Sequence, residues 1–170
     1  MVVATCAAAA CTAAPAPHPP TTHPPAAHSP NLSPSADSVI LSSAEVRPRA
    51  VLRVKGTTQP GVAGSACWMQ RPGVEGCFDT SGQERFPVTF LTVPGGTRLS
   101  IDGDVQSASA RLWIQATDSA SHLPTLEPAR GLSVAARTIS IDADAGTYTL
   151  EVDGSWDRGN VPFYFGIRVP

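Results

Sequence analysis

Two short stretches of the chain repeat one arrangement of carboxylates. Leu99-Ser100-Ile101-Asp102-Gly103-Asp104 and Ile139-Ser140-Ile141-Asp142-Ala143-Asp144 each set an Asp-x-Asp pair behind alternating apolar residues. Calcium takes about six to eight oxygen ligands, and a loop at a strand end supplies carboxylates and carbonyls together. Asp102, Asp104, Asp142 and Asp144 are therefore a candidate calcium site, and calcium is the one cofactor the sequence suggests. Aspartate also favours turns, because its side chain accepts hydrogen bonds from nearby backbone N–H groups. That is the commoner use of such pairs, and it needs no ion.

Nucleophilic catalysis finds less support. A triad needs a base beside its nucleophile, yet beyond the first third of the chain the only histidine is His122, in Ser121-His122-Leu123-Pro124, and no Gly-x-Ser-x-Gly elbow accompanies it. The expectation is a domain with no catalytic residue, and a hydrolase is the weakest reading. Trp68, Trp113 and Trp156 could form a stacking surface for sugars or peptides, although tryptophans between strands more often pack into a core or its rim. His18, His23 and His28 recur every five residues, but in a proline-rich stretch they would lose chain entropy on chelating a metal, so a solvated spacer is expected there.

The four cysteines divide by context. Cys67 and Cys77 flank Pro72, Gly73 and Gly76, a turn-rich span that can bring two extended segments side by side, and a disulfide is the expected pairing in an exported chain. A metal pair would need further Cys or His ligands, and none stand at ligand spacing. The spacing is not Cys-x-x-Cys, so redox catalysis is not expected. Cys11 instead follows Ala8-Ala9-Ala10, which resembles the lipobox of bacterial lipoproteins with Ala8 where leucine usually stands. That resemblance implies lipidation of Cys11 after cleavage of a signal peptide. A signal peptide also needs a basic start, and no basic residue precedes Arg47, which predicts that the coding sequence begins upstream of Met1.

The elements that must position these residues read as strands. From residue 50 onward, short runs rich in Val, Ile, Thr and aromatics alternate with period two and are punctuated by Gly, Pro and Asp. Leu99 and Ile101, Ile139 and Ile141, the series Tyr148, Leu150, Val152, and the series Phe163, Phe165, Ile167, Val169 mark inward faces. Only residues 119–131 could hold a helical turn, and Pro124 and Pro128 limit even that. The predicted fold is all-β, an antiparallel sandwich of immunoglobulin-like or jelly-roll-like type, spanning residues 45–170. Residues 1–11 read as a signal and lipobox remnant. Residues 12–44, rich in proline and alanine, read as a disordered tether.

At 170 residues and a formal net charge of −2, the chain allows one domain plus a tail and carries no global field for polyanions. Nucleic acid is excluded as an expected partner, and contact with a membrane is expected through the lipid anchor only. The domain resembles a group of secreted and lipoprotein β-domains of bacteria that have no assigned activity. Its opening motif is Gly64-Ser65-Ala66-Cys67-Trp68 with Cys77-Phe78-Asp79. Its closing motif runs from Gly146-Thr147-Tyr148-Thr149-Leu150-Glu151-Val152 through Trp156 and Gly159 to Tyr164-Phe165-Gly166-Ile167-Arg168-Val169. That resemblance implies no activity. The missing base, nucleophile and oxyanion set, together with the tether, instead lead to the expectation of a non-catalytic, extracytoplasmic lipoprotein, or alternatively a secreted protein, that binds or presents an envelope ligand or protein; a structural or accessory module of an envelope assembly is the other reading.

Overall fold

A computed structural model describes residues 36–44, 46–117, 124–129 and 132–170. Cys6, Cys11, His18, His23, His28 and His122 lie outside the described residues. The strands are β1 (Ser38–Ser42), β2 (Arg49–Val54), β3 (Thr57–Pro60), β4 (Val62–Ala63), β5 (Ala66–Arg71), β6 (Val74–Phe78), β7 (Phe90–Thr92), β8 (Thr97–Gly103), β9 (Ser107–Thr117), β10 (Pro124–Pro128), β11 (Leu132–Ala135), β12 (Thr138–Ile141), β13 (Gly146–Trp156) and β14 (Gly159–Val169). A single 3-10 turn, Gln83–Arg85, is the other regular element among the described residues.

Two sheets form an all-β sandwich, as the alternation predicts. One runs β11-β12-β8-β1-β2-β3. The other runs β10-β9-β13-β14-β4, with β7 also pairing β14. Most neighbours are antiparallel, while β1–β8 and β7–β14 are parallel. The inward residues come from the period-two runs. Leu52, Leu99, Ile139 and Ile141 of the first sheet and Leu150, Val152, Phe163, Phe165 and Ile167 of the second are essentially inaccessible and belong to one apolar cluster.

Three details depart from the sequence reading. The fold begins earlier than residue 45, because β1 lies inside the stretch assigned to the tether and sits in mid-sheet between β2 and β8. Val39 and Leu41 are fully buried, and five residues with two inward apolar side chains suffice when both strand edges are paired. The segment thought able to hold a helical turn instead carries an edge strand, with Pro124 and Pro128 at its two ends, where the missing N–H groups cost least. Thirdly, β5 and β6, which pair side by side as the turn-rich span predicts, form a two-stranded hairpin outside both sheets.

That hairpin is held by specific contacts. Trp68 is fully buried and meets Trp156 edge to face at 5.5 Å. The Met69 N–H donates to the Arg158 carbonyl at 2.8 Å, and the Arg158 side chain donates back to the carbonyls of Met69 and Gln70. At Gly159 a Cβ would stand 2.5 Å from the Cys67 carbonyl oxygen, so glycine there lets the hairpin approach the start of β14.

Candidate binding groove

The chain changes sheets between β3 and β4, and the passage leaves an open groove. Pro60 ends β3, Gly61 donates its N–H to the Ala50 carbonyl at 2.8 Å, and β4 then pairs with β14. No larger residue fits at Gly61, where a Cβ would lie 2.7 Å from the ring of Phe165. The groove beside this crossing has a volume of about 780 Å³. Pro48, Ala50, Pro60, Val62, Ala63 and the buried Phe163 give it an apolar lining.

Charge of both signs borders it. Arg47 and Arg49 enter from β2 and the residues before it, whereas Asp79, Thr80 and Glu84 enter from the segment after β6. The Arg47 guanidinium lies 4.0 Å over the Phe78 ring. Oε2 of Glu84 is buried and has no hydrogen-bond partner in the chain. Asp79 is fixed: it accepts from the Ser65 hydroxyl at 2.6 Å and from the Thr80 N–H at 2.9 Å. This knot joins the residue before β5 to the residue after β6, so Ser65 and Asp79 of the opening motif clasp the base of the hairpin. At Gly64 a Cβ would press within 2.8 Å of the Tyr164 ring. The disulfide Cys67–Cys77 closes the same hairpin between directly paired residues, with Cα atoms 4.0 Å apart.

The disulfide places the folded part in an oxidising, extracytoplasmic setting. Among the described residues no helix is long and apolar enough to cross a membrane.

The aspartate pairs do not converge. Strands β8 and β12 are antiparallel, with Thr97 opposite Ile141 and Ser100 opposite Thr138, so residues 102–104 leave one end of the sheet and residues 142–144 the other. The four candidate aspartates therefore do not gather around one ion, because similar strand-end motifs on antiparallel neighbours point to opposite ends. The carboxylates of the first pair have local partners. Asp104 accepts from the Ser43 N–H at 2.8 Å, from the Ser43 hydroxyl, and from the Trp156 indole at 3.2 Å. The Ser43 hydroxyl chiefly holds its carboxyl below the ordinary carboxylate range. Asp102 accepts from the Ser100 hydroxyl, and the Asp144 carbonyl accepts from the Tyr148 hydroxyl at 2.8 Å.

The three tryptophans do not form one exposed surface. Trp68 and Trp156 are core residues, which removes them from any stacking surface. Trp113 alone lies on an outer face, half-buried, with its indole N–H donating to Oε2 of Glu151 at 2.6 Å. Arg111 reaches the other oxygen of that carboxylate at 3.3 Å. On the same face Tyr164 is buried, and desolvation first, then the Glu151 charge, pushes its hydroxyl above its usual range.

Sequence reasoning missed Arg47, Arg49, Glu84 and the groove they border. The Pro60-Gly61 dipeptide was the available signal, since it marks a turn but does not say that the turn crosses between sheets. No protein-family model, curated protein or solved structure matches the chain.

Proposed function

We propose that this chain is a non-catalytic binding module of the cell envelope, lipidated at Cys11, whose folded head takes a short peptide-like ligand in the groove beside the β3–β4 crossing. The observation that carries this reading is the groove itself. Its volume of about 780 Å³ falls in the range of sites for small ligands, its lining is apolar, and its borders carry both signs of charge. Arg47 and Arg49 suit a ligand carboxylate, and Glu84 and Asp79 suit an ammonium group. A zwitterion with a small apolar body matches that set better than a ligand of one charge.

Titration of the labelled full chain with trialanine, followed by amide chemical shifts, tests the groove. Shifts at residues 47–51, 60–63 and 79–84 that vanish in Arg49→Glu support the reading; no shifts, or shifts elsewhere, overturn it. Metabolic labelling with a fatty-acid analogue tests the anchor: no label on the unaltered chain removes the lipoprotein assignment, and label that persists in Cys11→Ser removes Cys11 as its site.

A further inference from the structure

The outward face of the β5–β6 hairpin gathers three of the chain's six sulfur-bearing residues. Cys67 and Met69 lie two residues apart on β5, and their cross-strand partners on β6 are Cys77 and Glu75. By the alternation of strands all four share one face, and all four are exposed. The ligand atoms of Cys67, Glu75 and Cys77 lie within 4.8 Å of one another. Met69 is the only methionine besides Met1, it is 43% exposed, and core packing has no use for it there. The opposite face of the hairpin, carrying Trp68, does the anchoring.

We propose that this face becomes a Cu(I) site when the disulfide is reduced. Two thiolates and a thioether form a soft donor set, which selects Cu(I); zinc takes thiolates but has little use for a thioether. The reductant is a dithiol. One of its thiolates attacks Sγ of Cys67 or Cys77, a mixed disulfide forms, and its second thiolate resolves that bond. Two electrons and two protons thus pass to the cysteines and the reductant leaves as its own disulfide. Binding of the metal then releases the two thiol protons, with Glu75 beside the sulfurs as their first acceptor. The hairpin needs no disulfide to stay in place, because Trp68 and the Arg158 hydrogen bonds hold it to the sandwich. In the oxidised chain the sulfurs are bonded to each other and the site is closed.

The test uses the full chain carrying Cys6→Ser and Cys11→Ser, so that only the two head thiols remain. Cu(I) is titrated against a bathocuproine chelator, with the chain oxidised and reduced, and circular dichroism follows the fold. The expected result is one Cu(I) per reduced, folded chain and none on the oxidised chain. Met69→Leu should weaken binding by at least about tenfold, since even outer partners of metal ligands are worth that much, while leaving the melting temperature of the oxidised chain unchanged. The proposal is overturned by equal binding in both redox states, by indifference to Met69→Leu, by displacement of Cu(I) with Zn(II), or by unfolding of the reduced chain.

Discussion

Replacement of Gly103 by alanine should be among the most damaging single-methyl changes in the protein. Gly103 ends β8 opposite Leu41 of β1, with a φ of 101°, and a Cβ there would lie 1.8 Å from the Leu41 carbonyl oxygen. Two costs add. The left-handed conformation costs an L-residue about 1–2 kcal/mol. The clash is with backbone, so it can be relieved only by opening the end of the β1–β8 ladder, which loosens the fully buried Leu41 and sacrifices at least one ladder hydrogen bond, together about 2–3 kcal/mol. Gly56→Ala supplies the control, because Gly56 has a φ of 79° and nothing within 4 Å of its Cβ position. That variant should show the conformational cost alone. Urea denaturation should therefore separate the two by about 2–3 kcal/mol at unchanged m-value, which corresponds to a melting difference near 6–9 °C at about 3 °C per kcal/mol. Equal destabilisation of the two variants would refute the argument from close approach.

Other expectations follow from the same contacts. A chain starting at residue 45 should fail to fold, because it lacks β1 with Val39 and Leu41, and loss of the cooperative urea transition would show it. Alkylation without reduction should leave Cys67 and Cys77 unmodified, and reduction should lower stability by about 2–3 kcal/mol for a loop whose ends are 10 residues apart; free alkylation of both would remove the staple. The lowered Asp104 carboxyl gives stability that is complete above the ordinary carboxylate range and is lost as pH falls through and below it, so Asp104→Asn should flatten the acid limb of a pH–stability profile. Tyr164 has the opposite sign: its raised hydroxyl favours the fold below its usual range near 10, and that contribution is lost in stronger alkali, a limb that Tyr164→Phe should flatten.

Legibility followed the reach of the signal. Alternation is local, so β8, β12, β13 and β14 and their inward residues could be read directly from Leu99, Ile139, Leu150, Phe163 and their neighbours. β1 was not legible, since five residues beside a proline-rich stretch resemble its continuation until the parallel pairing with β8 is known. The aspartate echo misled for a related reason. Two similar strand ends do not tell in sequence whether they meet, and only the relative direction of β8 and β12 shows that they lie apart. The groove was invisible because its lining comes from β2, the β3–β4 crossing, the segment after β6 and β14, four pieces brought together by topology alone.

The opening motif divides by strand face, and that division separates what folding requires from what it leaves unused. Trp68 anchors the hairpin in the core, Ser65 and Asp79 clasp its base, and Gly64 and Gly159 permit its close approach to β14. These residues account for the inward face and the hairpin's ends without help from the side chains of Met69 or Glu75. Cys67 and Cys77 add a staple, worth about as much as one well-buried aliphatic side chain. A pair of opposed apolar or β-branched residues could stabilise two paired strands at the same positions, so a staple alone is a weak reason to display sulfur on solvent. Met69, 43% exposed beside an exposed disulfide, is not part of the buried core. The arrangement is better explained by a face that changes its chemistry when the sulfur–sulfur bond opens, and Met69→Leu distinguishes the two accounts because it leaves the staple and every anchoring contact intact.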